Sequence, residues 1–434
     1  MAPVTLRAPR ARLVVQGELR VPGDKSISHR ALMLSALAEG RSRIRGILRS
    51  ADIESTARVL RALGCDIPAL EADLVIEGRG LVARRSSPVT RHDLDCGNSG
   101  TTARLTMGIA AARPGAHRFT GDESLSRRPM RRVARPLEAM GARMELPEGR
   151  DGLPLVLHGG PLHAVDWTLD TASAQIKSAI LLAGLCGGVP VAVHEPAPSR
   201  DHTERMLRAQ GVAVRTEDGR VSLQPVAHLA PLDLTVPGDP SAAAFFAALG
   251  ALADAGELVL RDVGLNPGRA GFVAVLRRMG AGLAIESRGA PGAEPLGDLV
   301  VRPAPLRATT IEGAEVPSLI DELPVLACVA ARADGETVIR GAAELRVKES
   351  DRIQAVVENL RAVGVEAEEL PDGMRIRGTR AALSGHVRTH GDHRLAMAFA
   401  VLGATAGAAI HVDDPACVAV SYPAFWEHLD RVAA

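Results

Sequence analysis

The sequence predicts an α/β protein of two similar domains, on three observations. At 434 residues the chain exceeds what one hydrophobic core usually serves. The stretch Val21-Pro-Gly-Asp-Lys-Ser26 returns about half a chain later as Val236-Pro-Gly-Asp-Pro-Ser241, and matches continue downstream, with Gly40 answering Gly256 and Arg45 answering Arg261. A shorter pattern, an amphipathic helix ending in Leu-x-x-x-Gly and followed by a short apolar strand, starts its closing turn at Leu60, Leu137, Leu207, Leu276 and Leu360. Residues 426–432 read as a sixth helix. Six units of about 70 residues, three per half, follow. That period does not suit a solenoid, so each half is expected to be globular with internal three-fold pseudo-symmetry.

The domains expected from the duplication are residues 21–236, carrying Lys25, and residues 1–20 with 237–434, carrying Asp321, Glu349 and Arg394. The chain would then cross between halves near Val21 and Val236, where paired Pro-Gly turns suit a two-strand hinge. After the first turn, Ser26 or Ser28 is expected to cap a helix running to about Gly40, with Ala31, Leu34 and Leu37 on one face. Free N–H groups, the dipole and the neighbouring Lys25 and Arg30 suit a phosphate or carboxylate there, although a capped helix with solvated basic residues reads the same. The echo separates the two readings. Pro240 and Phe245 replace Lys25 and Arg30, so the charges belong to one copy, as an asymmetric anion site requires.

Composition excludes several classes. Lys plus Arg equals Asp plus Glu at 51 each, which leaves no basic field for nucleic acid. Aromatic residues make up only 2%, too few for base- or sugar-stacking platforms. The five cysteines are scattered without C-x-x-C spacing, which fits thiols in a reducing compartment and offers no zinc or iron–sulfur site. No signal-peptide core and no 18-residue apolar run is present. A soluble, cytoplasmic protein with no membrane partner, no metal and no cofactor is expected.

Chemistry concentrates at predicted helix starts. Cys96-Gly-Asn-Ser-Gly-Thr-Thr102 has the small residues of an anion nest, without the spacing of a Walker A or dinucleotide loop. The segment 121–132 packs Arg127, Arg128, Arg131 and Arg132 together, which needs an anion or solvent to take up the charge. Ser173 and Gln175 open a further apolar helix, and Ser199-Arg-Asp-His202 opens the next. In Arg346-Val-Lys-Glu-Ser-Asp-Arg352, helical spacing puts Lys348 and Arg352 on one face with Glu349 adjacent; a carboxylate among cations stays ionised and suits a base, while a surface salt-bridge ladder has the same spacing. His390-Gly-Asp-His-Arg394 presents Arg394 at another helix start, and Asp321 enters an apolar helix, a position typical of a cap. Together these segments supply cations at helix starts in both halves, as a cleft for two small polyanions requires.

The motifs V-P-G-D-K-S-I-S-H-R, G-N-S-G-T, S-R-R-P-M, S-A-Q-I-K-S, R-V-K-E-S-D-R and G-D-H-R-L-A-M, in this order over nearly the whole chain, resemble the 5-enolpyruvylshikimate-3-phosphate synthase family of enolpyruvyl transferases. The resemblance implies two domains, each of three βαβαββ units in an inside-out α/β barrel, that close over the substrates. It implies transfer of the enolpyruvyl group of phosphoenolpyruvate to the 5-hydroxyl of shikimate 3-phosphate, in chorismate and aromatic amino acid biosynthesis, by a monomer. By motif position, Lys25, Ser26, Arg30, Ser173, Ala174, Gln175, Ser199, Arg200, Asp321 and Lys348 would bind shikimate 3-phosphate. Lys25, Gly100, Arg128, Gln175, Arg352 and Arg394 would hold phosphoenolpyruvate, with Asp321, Glu349 and Lys25 catalytic.

Two departures accompany the resemblance. Val420 stands where some members carry a Lys before an S/T-F-P segment, and Ala174 stands where others have a second Ser, a loss that Ser173 and Lys177 are expected to make good. In this family glyphosate occupies the phosphoenolpyruvate pocket, so Gly100 implies sensitivity to it. The related transferase acting on UDP-N-acetylglucosamine uses a loop cysteine, and 121–132 holds none. An RNA-end-processing or binding protein on the same scaffold would need a basic track with aromatics, and a non-catalytic descendant would not keep Lys25, Asp321 and Glu349.

Overall fold

Each repeated Leu-x-x-x-Gly closes its helix by the same pair of devices. The glycines are left-handed (φ +77° at Gly64, +111° at Gly141, +82° at Gly211, +101° at Gly280, +96° at Gly364). The residue after each glycine donates its N–H back to the leucine carbonyl: Cys65 to Leu60, Ala142 to Leu137, Val212 to Leu207, Ala281 to Leu276 and Val365 to Leu360, at 2.9–3.1 Å. This is the six-to-one bond of a Schellman ending, with Leu at C3 and Gly at C′, and it explains why the spacing is invariant.

The computed structural model describes residues 4–5, 11–81, 91–288 and 294–433. It divides into two units, Gly23–Val236 and Met1–Pro22 with Pro237–Ala434, each with its own hydrophobic core. Val21, expected in the domain that carries Lys25, packs in the core of the other unit with Val15 and Leu19. The chain therefore changes unit at Pro22/Gly23 and Val236/Pro237.

Within Gly23–Val236 three sheets repeat one design. In the third, strands Val165–Thr168 and Val191–His194 run parallel around helix Ala174–Gly187, and the hairpin Val214–Glu217/Arg220–Leu223 adds antiparallel strands after helix His202–Ala209. The second sheet repeats this order with strands Arg91–Asp95, Gly115–Thr120, Leu155–Gly159 and Arg143–Glu145. The first takes its opening strand from the far end of the unit, Asp233–Thr235 lying parallel to Arg43–Arg45. Among the described residues the fourth strand expected after Gly64 does not form: residues 65–67 lie in no strand, and Asp73–Arg79 is the next one. The other unit has the same plan. Strand Val14–Leu19 pairs parallel with Ala255–Leu260 on the far side of helix Pro240–Leu252, which explains why the chain must leave and return.

The first helix of every repeat is buried almost throughout. In one unit these are Lys25–Leu37, Gly100–Ala111 and Ala174–Gly187; in the other, Pro240–Leu252, Leu323–Ala330 and His393–Gly403. The second helices, such as Ala51–Ala62 and Arg352–Ala362, are amphipathic and half-exposed. A right-handed β–α–β crossover starts its helix beyond the C-terminal end of the first strand, so three repeats of one hand gather three helix N-termini at one end of each unit. Among the described residues no helix is long and apolar enough to cross a membrane.

Local caps differ from expectation in two places. The first helix is capped by Asp24, whose Oδ1 accepts from Ile27 N at 2.8 Å, while Ser28 accepts instead from Leu48 N at 3.0 Å. Its C-terminal end comes at Leu37, because residues from Glu39 join a strand that includes Gly40. At the crossing, a Cβ on Gly23 would lie 2.1 Å from the Gly46 carbonyl oxygen, so only glycine fits. Gly23→Ala should lower unfolding free energy by about 1–3 kcal/mol in urea titrations, as forced overpacking does. Gly160→Ala, with nothing within 4 Å of the added carbon, should change it by less than about 0.5 kcal/mol.

Candidate active site

In the Gly23–Val236 unit the predicted residues meet at the gathered helix starts. Arg30 is 4% exposed and ties two repeats together: Nε donates to Thr203 Oγ1 (2.6 Å), Nη2 to Ser178 Oγ (2.8 Å) and Nη1 to the Ser26 carbonyl (3.0 Å). These three partners are neutral oxygens, so none of them takes up the guanidinium's charge. Lys25, at the start of the same helix, forms an ion pair with the buried Asp52.

Gln175 and Gly100 are organised by Arg104, a residue the motifs did not single out. Arg104 Nη1 donates to Gln175 Oε1 at 2.6 Å and Nη2 to the Pro129 carbonyl at 3.1 Å, while Gln175 Nε2 donates to Thr101 Oγ1 at 3.0 Å. The amide is thereby oriented with its NH2 toward Thr101. A Cβ on Gly100 would stand 3.1 Å from Arg104 Nη1 and 3.4 Å from Arg128 Nη1, so Gly100, Arg104, Arg128 and Gln175 share one spot. Arg128 is held by Asn98 Oδ1 (2.8 Å) and Ser124 Oγ (3.4 Å). The available signal for Arg104 was a lone cation, 5% exposed, inside an otherwise uncharged helix. Of the other arginines in 121–132, Arg127 pairs with Glu123 on the surface and Arg131 is exposed.

Ser173 caps helix Ala174–Gly187, leaving Ala174 and Gln175 in its half-buried first turn, and Ser199 and Arg200 are half-buried ahead of the next helix. Ser199 donates to Glu195. The expectation that Lys177 replaces the missing second serine fails. Its side chain is 1% exposed and its ammonium lies 2.7 Å from both Glu195 Oε2 and Glu204 Oε1, so it is committed to buried carboxylates rather than to a ligand.

The second cluster, in the unit of Pro237–Ala434, is built around Arg352. This side chain is 1% exposed; Nε and Nη2 engage Asp392 (2.7 and 3.2 Å), Nη2 also reaches Glu349 Oε2 (2.7 Å), and Nη1 reaches Asp321 Oδ1 (3.4 Å). Burial alone would discharge it, but Asp392, Glu349 and Asp321 outweigh burial and raise its pKa. Burial likewise opposes ionisation of Asp392, and Arg352 overrides it, holding the carboxyl below its usual range. Lys348 Nζ stands 3.5 Å from the same Asp321 Oδ1. It does so from an extended residue after the 3-10 turn Ala343–Val347, not from the helix that begins at Arg352. Asp321 forms no cap; it sits in the 3-10 turn Ile320–Glu322 with its carboxylate among cations. Arg394 Nη1 donates to the Asp321 carbonyl at 3.0 Å, and Nη2 is 4.0 Å from Asp321 Oδ2. Val420 is half-buried in the 3-10 turn Pro415–Val420 and adds no charge.

The sequence matches the EPSP synthase (3-phosphoshikimate 1-carboxyvinyltransferase) family over residues 9–429. The chain belongs to that family. A 3-phosphoshikimate 1-carboxyvinyltransferase from Alkalilimnicola ehrlichii is 49% identical over 95% of this chain and 92% of its own, and one from Sulfurihydrogenibium is 45% identical over 96% and 97%. The 2.37 Å structure of EPSP synthase from Acinetobacter baumannii superimposes with a TM-score of 0.85 at 38% identity, covering 98% of this chain and 97% of that one. The EPSP synthase fold thus agrees with the two-domain α/β expectation.

In the Gly23–Val236 unit a buried hydroxyl chain links two of the helix starts. His29 Nδ1, Thr56 Oγ1 and Thr102 Oγ1 follow at 2.6 Å steps, and Thr102 donates to Ser99 Oγ at 2.8 Å. Burial pushes the imidazole of His29 down from 6.5 to about 3, so it stays neutral while the unfolded chain takes up a proton below about pH 6.5. Its contribution is fully present above pH 6.5 and is lost as pH falls toward 3. Between pH 6 and 4 the unfolding free energy should therefore fall about 1.4 kcal/mol per pH unit less steeply in His29→Asn than in the wild type, measured by urea denaturation.

Proposed function

We infer that the protein transfers the enolpyruvyl group of phosphoenolpyruvate to the 5-hydroxyl of shikimate 3-phosphate, releasing phosphate, in the pathway to chorismate and the aromatic amino acids. The observation that carries this reading is the cluster in which Arg352 touches both Asp321 and Glu349 while Lys348 shares Asp321. It supplies two carboxylates able to exchange protons beside cations able to hold a phosphorylated acid.

The roles proposed are as follows. Lys25, Ser26, Arg30, Ser173, Ala174, Gln175, Ser199, Arg200 and Lys348 bind shikimate 3-phosphate, and Asp321 accepts the proton of its 5-hydroxyl. Lys25, Gly100, Arg128, Gln175, Arg352 and Arg394 hold phosphoenolpyruvate. Glu349 takes up a proton from solvent before the cycle begins; as the hydroxyl oxygen attacks C2 it gives that proton to C3, making a methyl group and a tetrahedral phosphate-bearing carbon. Glu349 then takes a methyl proton back, the C–O bond to phosphate breaks, and the leaving phosphate collects the proton held by Asp321. Lys25 and the arginines stabilise charge on that phosphate as it departs. Four of the five N–H groups of Arg352 already meet carboxylates, so its ligand contact falls to the remaining Nη1 hydrogen. We assign the protein to the cytoplasm as a monomer; no disulfide joins its five cysteines.

Phosphate release should require both substrates and fall by about 10²–10⁴-fold in Asp321→Ala. Release with UDP-N-acetylglucosamine in place of shikimate 3-phosphate would move the reading to the sister reaction. Glyphosate should compete with phosphoenolpyruvate. Gly100→Ala, whose methyl group would press on Arg104 and Arg128, should weaken that inhibition by more than about tenfold, equivalent to about 1.4 kcal/mol. Equal inhibition of both forms would refute this use of Gly100.

A further inference from the structure

The echo of the Lys25 motif in the second half keeps Asp239 and Ser241 but no cation, and no role proposed above uses it. The structure joins it to Arg394. Ser241, Glu322 and Arg394 stand at the starts of the three buried first helices of their unit, one from each repeat. Ser241 Oγ donates to Glu322 Oε1; Arg269 Nη2 donates to both Ser241 Oγ and Asp239 Oδ1 at 2.8 Å. Arg394 closes the set, with Nη1 3.5 Å from Glu322 Oε1 and Nη2 3.5 Å from Ser241 Oγ. Glu322 is 1% exposed, Arg269 2% and Ser241 5%.

A buried carboxylate beside an anion-binding arginine is a conflict on charge alone, because it repels the ligand. It makes sense where the arginine's geometry matters more than the field. A long side chain with one anchored edge loses less freedom when the other edge engages a carboxylate or phosphate. We propose that Glu322, held by Ser241, which Arg269 holds in turn, is a positioning residue that fixes the Arg394 guanidinium for phosphoenolpyruvate. The inference rests on the reading of Arg394 as a phosphoenolpyruvate ligand.

The two physical effects have opposite signs, and steady-state kinetics separates them. Glu322→Gln keeps size and an acceptor for Ser241 but removes the charge that holds Arg394. Positioning predicts a rise of about tenfold in KM for phosphoenolpyruvate, with kcat within about threefold and KM for shikimate 3-phosphate unchanged. Glu322→Asp, which restores the charge on a shorter stem, should recover part of that loss. An unchanged or lowered KM for phosphoenolpyruvate in Glu322→Gln would overturn the proposal. So would parallel rises in both KM values that track a fall in Tm. Should Glu322→Gln not fold, Ser241→Ala tests the same anchor, with a rise of about threefold expected and none overturning it. Arg394→Ala is measured alongside: no rise in phosphoenolpyruvate KM there would sink the underlying reading, whereas a rise there without one in Glu322→Gln sinks the positioning role only.

Discussion

A helix buried along its length must satisfy its first-turn N–H groups from inside the protein, and here the carboxylates that do so also hold the arginines. Asp392 accepts from Arg394 N at 2.9 Å and simultaneously grips Arg352. Asp239 accepts from Ser241 N at 2.7 Å and simultaneously pairs with Arg269 at 2.8 Å. One side chain thus stabilises the fold and aims a cation. Removing such a cap would do more than fray a turn, since it would leave a buried guanidinium with fewer acceptors, a loss that commonly costs about 3–5 kcal/mol.

The same constraint explains how two copies of one motif came to differ without changing the scaffold. In the first copy Arg30 is buried and satisfied by Thr203, Ser178 and the Ser26 carbonyl. In the second its counterpart Phe245 is buried against Phe425, ring centroids 6.1 Å apart, within a cluster that includes Phe246 and Tyr422. Each environment is self-consistent, with oxygens around the guanidinium in one unit and rings around the phenyl group in the other. Exchanging Arg30 and Phe245 singly would bury a charge among rings in one unit and strand hydroxyls in the other, so the copies could diverge only by several coordinated changes.

This pattern governs what could be read from the sequence. The repeat was legible because a Schellman ending is local: leucine, three residues and a left-handed glycine specify it wherever it occurs. Several motifs were legible as local runs for the same reason, those of Lys25, Gln175 and Arg394 lying at helix starts. What escaped was set by partners distant in sequence. Lys177 looked available until Glu195 and Glu204 closed on it from two later segments. Lys348 was expected on a helix with Arg352, and it reaches the same carboxylate from an extended residue because Asp321, not helical spacing, brings them together. The cap at Asp24 was hidden by two serines of equal local merit just downstream, and the short run after Gly64, which reads as a strand, joins no sheet among the described residues.

Charge accounting in the second cluster gives the last step. Four cations there, Arg269, Lys348, Arg352 and Arg394, face five carboxylates, Asp239, Asp321, Glu322, Glu349 and Asp392. The cluster therefore offers an incoming anion no surplus of positive charge. Unmatched, four cations in a partly buried volume would repel one another and oppose folding. Matched, they contribute directed N–H groups rather than a field, and attraction depends on where the unused hydrogens point. On the proposed reading, recognition of a phosphorylated acid by such a cluster would be a matter of orientation, set by the carboxylates and hydroxyls that hold each guanidinium.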